Sequence, residues 1–285
     1  MPLLEMNYGT YEALVGDTSA STTGTTPTVK FSALIGAVSH NINDCQLTYC
    51  ARENIDYDKA CAQLEEYRQL LRTLDVELIQ LDAVDSHPDC CFVQDTAVML
   101  DEICVIASMG APARAQETLA VERLLARHRP TRRILPPATL DGGDVVQIGR
   151  RLFVGASTRT NARGIARLEE LVQPFGYVVV PVKISGALHL TTGCGIVDDE
   201  TVIVNPRWLD ASAFKGVRQL HVSEDEPWAA NTVRVGSTVC VERQASRTIE
   251  LLQRYVRNVA TLDISEFHKA EGSLSCLSLL FKRDQ

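Results

Sequence analysis

Polar and apolar positions alternate along this chain in two rhythms. Between residues 56 and 74, Tyr57, Cys61, Leu64, Tyr67, Leu71 and Leu74 recur at three- and four-residue steps, the signature of a helix with one apolar face. Residues 76–81 then read as a strand. From there on, a unit repeats at intervals of roughly 40 to 50 residues: two short β-branched strands around a tight turn, a helix, and one more strand. The turns fall at Asp101-Glu102, Gly149-Arg150, Asp198-Asp199 and Gly236-Ser237; across the second of them, Val145-Val146-Gln147-Ile148 faces Leu152-Phe153-Val154. Helical patterns follow at 115–128, 161–172 and 244–256, and single strands at 134–135, 177–182 and 259–264. The unit after Asp198-Asp199 is shorter and less regular.

Four such units leave residues 31–36, the long helix and 76–81 at one end, and 276–281 at the other. Together these make a fifth unit. A closed ring of five ββαβ modules, with the C-terminal strand beside the N-terminal one, hides the sheet edges that an open array would expose. The competing architecture, a doubly wound sheet with a Gly-rich phosphate turn, lacks its fingerprint, because neither G-x-G-x-x-G nor G-x-x-x-x-G-K-[ST] occurs. Residues 17–29, mostly Ser and Thr, have almost nothing to bury. The expected organisation is a flexible arm over residues 1–30 and one α/β domain over 31–285.

Composition narrows the functional classes. With 45% apolar and 22% charged residues over 285 positions, the chain can build a sizeable core. The formal charge of −8 disfavours nucleic acid as a partner and suits a cationic ligand. No apolar run reaches the length of about 18 that spans a bilayer, and the start lacks the order of a secretory signal, so a cytoplasmic protein with no membrane partner is expected. Nine cysteines without a Cys-x-x-Cys pair fit reduced thiols, and no histidine sits at metal-ligand spacing from another His or Cys. Neither a metal nor a cofactor is expected.

The reactive residues fall at equivalent places in the repeat. Asp95 directly precedes the first strand of the second unit, Asp141-Gly142-Gly143-Asp144 precedes that of the third, and His189 lies five residues before the fourth. Cys276 opens the strand that closes the ring. In a pseudosymmetric ring these entries all point at the axis, which would bring carboxylates, one imidazole and one thiol together. Such a set suits a guanidinium, which is planar, cationic and resistant to nucleophiles weaker than a thiolate. A thiolate can attack its central carbon while the imidazole protonates the departing amine and then activates water.

At these residues the chain resembles the dimethylarginine dimethylaminohydrolases. The resemblance runs from about Phe31 to Phe281 and includes Pro88-Asp89-Cys90-Cys91-Phe92-Val93-Gln94-Asp95-Thr96-Ala97-Val98, Leu140-Asp141-Gly142-Gly143-Asp144-Val145, Phe153-Val154-Gly155, Arg159-Thr160-Asn161, Leu188-His189-Leu190 and Leu274-Ser275-Cys276. It implies the pentein fold, a five-bladed α/β propeller, and cofactor-free hydrolysis of Nω-methylated L-arginine to L-citrulline and a methylamine by a monomer or homodimer. Position by position, it implies Cys276 as nucleophile, His189 as general acid and base, and Asp141 as the carboxylate that orients the ring. It further implies Asp95, Gln94 and Asp144 around the substrate, with Asp95 gripping the guanidinium. Asp89 would meet the α-ammonium, Arg114 and Arg159 the α-carboxylate, and Leu47 would belong to a lid loop.

Three positions depart from the family pattern. Gln94 stands where Glu is usual, so it brings no negative charge; Gly36 stands where many members carry Arg; Ser273 replaces a frequent apolar residue. Gln94 keeps open a related guanidine-modifying enzyme, an arginine deiminase, dihydrolase or amidinotransferase. Thr191, where deiminating members often carry an acid, weighs against the deiminase. A catalytically silent pentein that binds a guanidino ligand is the remaining alternative.

Overall fold

The computed structural model describes residues 29–283. The expected flexible arm falls almost entirely outside these residues. Fifteen strands form five separate three-stranded sheets, one per expected module. In the first, β1 (Phe31–Gly36) and β2 (Val76–Leu81) run parallel on either side of helix α1 (Tyr57–Thr73). The second contains β3 (Ala97–Met99), β4 (Cys104–Ile106), α2 (Glu117–Leu125) and β5 (Thr131–Arg133). The third contains β6 (Val145–Ile148), β7 (Arg151–Ala156), α3 (Ala162–Val172) and β8 (Val178–Lys183). In the fourth, the short helix α4 (Leu190–Gly193) leads into β9 (Cys194–Ile196), β10 (Thr201–Val204) and β11 (Arg218–His221). Its crossover is only a 3-10 turn, Ala211–Phe214, as its irregular pattern foretells. The fifth contains β12 (Val233–Val235), β13 (Thr238–Glu242), α5 (Ser246–Leu252) and β14 (Asn258–Leu262), and is followed by α6 (Ser265–His268).

Closure comes from the last strand. β15 (Leu279–Lys282) pairs antiparallel with β1, Phe31 opposite Lys282 and Leu34 opposite Leu279, so the first module is built from both ends of the described chain. The core is divided in the same way. Five apolar clusters lie between successive modules, for example Leu34, Phe281, Ala97 and Ile106 between the first and second, and Val202, Val204 and Phe153 between the third and fourth. The cluster holding Ala33, Tyr67, Val235, Cys240 and Phe267 joins the fifth module back to the first. Burial of these clusters, at about 25 cal/mol per Å² of apolar surface, is what favours the ring over an open array.

Local sequence accounts for most element boundaries. Asp56 caps α1 by accepting the Lys59 N–H at 3.0 Å, and Asn161 caps α3 through the Gly164 N–H at 2.8 Å. Two expectations need correction. The strand expected at 134–135 is Thr131–Arg133: Thr131 pairs with Cys104 and Arg133 with Ile106, and Ile134 gives one more bond, from its N–H to the Ile106 carbonyl at 3.1 Å, with its side chain in the core. The strand expected to open at Cys276 starts at Leu279, because residues Leu274–Leu277 form a 3-10 turn in which the Cys276 N–H donates to the Ser273 carbonyl at 3.1 Å. Among the described residues no helix is long and apolar enough to cross a membrane.

Candidate active site

The chemistry sits in 3-10 turns at the inner ends of the modules. Turns Val93–Thr96, Gly142–Asp144 and Leu274–Leu277 carry Asp95, Asp144 and Cys276, and the first packs against both others. His189 is the residue before α4. Two glycines allow this convergence. A Cβ on Gly142 would lie 2.1 Å from the Gln94 carbonyl, and one on Gly143 would lie 2.5 Å from Asp95 Oδ1 and 3.0 Å from the His189 ring. The Asp-Gly-Gly-Asp motif is therefore a close-packing device as well as a source of carboxylates.

One buried pocket is lined by Asp89, Asp95, Arg114, Arg159, His189 and Cys276, so six of the expected site residues meet. Phe92, Leu188, Ala270 and Gly272 form its apolar and small walls, with Gln46 and Glu271 at the side where segment 45–50 crosses. His189 lies between two acids: its Nε2 is 3.1 Å from Asp141 Oδ2 and its Nδ1 is 3.5 Å from Asp95 Oδ1. Asp141 is wholly buried and held by the Gly110 N–H, which donates to Oδ1 at 2.7 Å. Asp95 takes Arg114 Nη1 on Oδ2 at 2.6 Å, whereas its Oδ1 is buried with no hydrogen-bond partner. That free oxygen faces the pocket-lining imidazole and is an acceptor without a donor.

Electrostatics follow from burial and these pairs. Burial works against a charged imidazole, but the charge of Asp95 and the hydrogen bond that the ring donates to Asp141 outweigh it and raise the His189 pKa to about 9. Burial, then the Asp95 charge, pushes the Cys276 thiol up to about 12. Burial also opposes ionisation of Asp95, yet His189 and Arg114 hold its carboxyl below the ordinary value. Asp89 goes the other way, its carboxyl raised mainly by burial. Oxygen and nitrogen atoms of Asp95, Asp141 and His189 lie within 4.8 Å of one another, a spacing seen in cation sites. Here Arg114 and the protonated ring already supply the compensating positive charge.

The remaining expected residues occupy supporting positions. Arg114 spends its guanidinium inside the protein: Nε and Nη2 donate to Glu117, Nη2 also to the Phe92 carbonyl at 2.9 Å, and Nη1 to Asp95. Arg159, by contrast, makes one side-chain contact, Nη2 to Thr48 Oγ1 at 3.2 Å. Asp144 accepts the Leu190 N–H at 3.0 Å and the Ser157 hydroxyl at 2.6 Å, and so fixes the residue after His189 from behind the pocket. Gln94 is turned toward the neighbour of Cys276: Ser275 Oγ donates to its Oε1 at 2.9 Å, and Asn231 Nδ2 donates to Ser275 Oγ at 2.7 Å. Leu47 is half-buried against the apolar cluster that contains Cys276 and Phe92. At Gly36, a Cβ would stand 2.3 Å from the Cys90 carbonyl, which explains why no larger residue occupies it. Ser273 contributes a buried hydroxyl without a partner.

Sequence reasoning did not find Glu271 or Gln46. The Gln46 N–H donates to both carboxylate oxygens of Asp89 at 3.2 Å, and Glu271 accepts from the backbone N–H groups of Thr48, Tyr49 and Cys50. The one available signal was Glu271-Gly272 directly after a helix, where glycine commonly comes first.

A ring of five ββαβ modules with a thiol, an imidazole and buried acids at its centre defines a pentein of the guanidine-modifying class. The family model described as arginine deiminase matches residues 80–228. The dimethylarginine dimethylaminohydrolase of Streptomyces coelicolor is 34% identical over 249 residues, covering 87% of this chain and 95% of that one. The Pseudomonas aeruginosa counterpart is 30% identical over 228 residues, 79% of this chain and 90% of its own. A solved structure of the Pseudomonas aeruginosa enzyme complexed with citrulline superposes with a TM-score of 0.84 at 28% identity, over 89% of this chain and 99% of that one. The chain belongs to the dimethylarginine dimethylaminohydrolase family.

Proposed function

We propose that the protein hydrolyses Nω-methylated L-arginine, N,N-dimethylarginine and monomethylarginine, to L-citrulline and dimethylamine or methylamine. The observation that carries this reading is the placement of Cys276, His189 and Asp95, whose Oδ1 has no hydrogen-bond partner, around one buried pocket. The guanidinium lies against Asp95 and donates to its Oδ1, so that it satisfies that acceptor and brings positive charge beside the thiol. That charge offsets the Asp95 effect on Cys276 and favours the thiolate. Its sulfur forms a bond to the guanidinium carbon, the His189 imidazolium gives its proton to the methylated nitrogen, and the carbon–nitrogen bond breaks to release the amine. The neutral ring then takes a proton from water. Hydroxide adds to the thiouronium carbon, the carbon–sulfur bond breaks to return the thiolate, and citrulline leaves after its hydroxyl proton passes to the released amine or to solvent. Asp141 and Asp95 favour the charged ring through both steps.

At the amino-acid end, Asp89 receives the α-ammonium and Arg159 the α-carboxylate. Arg114 acts through Asp95, and Gln94 and Asp144 act through Ser275 and Leu190; Leu47 covers the bound ligand. Nine free thiols and an acidic chain are compatible with a reducing, cytoplasmic setting. Thr191, whose hydroxyl donates to the Gly143 carbonyl at 2.9 Å, adds no acid near His189, which favours methylated over unmodified arginine.

The test is incubation of pure protein with asymmetric dimethylarginine, monomethylarginine, arginine and agmatine, with citrulline and released amine measured by mass. Citrulline and dimethylamine in equal amounts from the first substrate support the reading. Absence of both from a folded protein across pH would overturn it.

A further inference from the structure

We infer that Glu271 is a positioning residue that clamps segment 45–50 across the pocket and so governs both access to Cys276 and retention of the substrate's amino-acid end. The inference deepens the proposed function and rests on it for the identity of the substrate.

The first observation is conformational. After α6 the Gly272 N–H donates to the Phe267 carbonyl at 2.9 Å and the Glu271 N–H to the His268 carbonyl at 3.0 Å, the paired bonds of a helix ending in a left-handed residue. That residue is Glu271, with φ of +57°. Glycine is the usual occupant, because a Cβ is disfavoured there. A glycine is present one position later, where Phe92 leaves no room for a side chain: a Cβ on Gly272 would lie 2.3 Å from the Phe92 ring. The chain thus keeps a strained glutamate at the turn, and strain of this kind persists where the surroundings use the side chain.

The second observation is what the side chain does. Glu271 is 4% exposed, lines the pocket, and receives the N–H groups of Thr48, Tyr49 and Cys50, the first at 2.9 Å. These residues have no regular secondary structure, and Tyr49 is half exposed. The same segment is held at two further points by charged pocket residues, the Gln46 N–H on Asp89 and Thr48 Oγ1 on Arg159. A ligand with an ammonium and a carboxylate competes for Asp89 and Arg159. Glu271 is left as the anchor that no substrate group displaces, so the segment stays folded over the pocket while the other two change partners.

The test uses two variants, Glu271→Gly and Glu271→Gln. The glycine variant removes the backbone strain, so it melts at or above the parent temperature, which a residue kept only for structure would not do. Labelling of Cys276 by 2-chloroacetamidine, which has no amino-acid end, is expected to quicken at least threefold in the glycine variant. In a Cys276→Ser background, the Kd for dimethylarginine, read by calorimetry, is expected to rise at least tenfold. The glutamine variant keeps one acceptor, falls between on both readouts, and decides the matter if the glycine variant melts early. Unchanged labelling or unchanged affinity in these variants overturns the inference. If the Cys276→Ser parent itself binds no dimethylarginine, the substrate reading fails, while the labelling ratio still decides on the clamp.

Discussion

Asp95 and His189 face each other at 3.5 Å, Oδ1 to Nδ1, without a hydrogen bond between them. The carboxylate raises the pKa of the ring, while its Oδ1 is left without a hydrogen-bond partner. In the proposed reaction it would both grip the substrate and keep the acid loaded before the amine departs.

The first consequence concerns pH. With the His189 pKa raised to about 9, kcat/KM for dimethylarginine is expected to decline above about pH 9, as the ring loses the proton the leaving amine needs. Because the folded value lies above the ordinary 6.5, the ion pairs stabilise the fold fully below about 6.5, and that contribution is lost as pH rises through about 9. Melting curves from pH 6 to 10 should show this decline in the wild type and a smaller one in His189→Gln.

Asp141→Asn keeps the shape of the side chain and removes its charge. We expect kcat to drop about 10²- to 10⁴-fold, the range for loss of a correctly poised acid or base, and the melting temperature to fall as the buried pair with His189 is lost. The alkaline limb of the profile should also move to lower pH. A variant with wild-type kcat and an unmoved limb would show that Asp141 does not set the state of the ring.

The two arginines should separate. Arg114 is buried among Asp95 and Glu117, and Arg114→Ala leaves both acids uncompensated, an effect of about 3–5 kcal/mol on stability. Arg159→Ala breaks one contact to Thr48 and is expected to change stability by about 1 kcal/mol or less. Its effect should appear instead as a KM for dimethylarginine raised tenfold or more, measured alongside thermal melts.

Gly143→Ala puts a methyl group where Asp95 Oδ1 and the His189 ring already stand, 2.5 and 3.0 Å away. Overpacking of about 1–3 kcal/mol is expected, with activity lost in a protein that still folds. Full activity in this variant would show that the acid–imidazole pair tolerates displacement.

Cys276 should distinguish charge. Because burial and Asp95 hold the thiol near 12, neutral iodoacetamide should label it slowly at pH 7 and faster as pH rises. Cationic 2-chloroacetamidine should react faster at the same pH, and the ratio of the two rates should shrink in Asp95→Asn.

Much of this arrangement was legible in the sequence, for identifiable reasons. The hairpin of Val145–Ile148 with Arg151–Ala156 was readable because β-branched runs flank a tight turn, and α1 because its apolar face recurs at a helical period. β5 was misplaced because Thr131–Arg133 is held by backbone pairing and lacks an apolar pattern, whereas the apolar Ile134 marks the core just beyond it. The turns that carry Asp95 and Cys276 are 3-10 segments of four residues, too short to show a period. Glu271 carries only the faint signal of a residue standing before a glycine after a helix, because its partners are main-chain amides over 220 residues away, which leave no pattern of side chains.

The central claim is that Cys276 carries the substrate carbon during turnover. Acid quenching of the enzyme under saturating dimethylarginine, followed by digestion and mass analysis, tests it most directly. The account predicts an adduct on the peptide containing Cys276, absent from Cys276→Ser together with citrulline formation. Citrulline release by Cys276→Ser at a rate near that of the wild type, or an adduct confined to another of the nine cysteines, would contradict it.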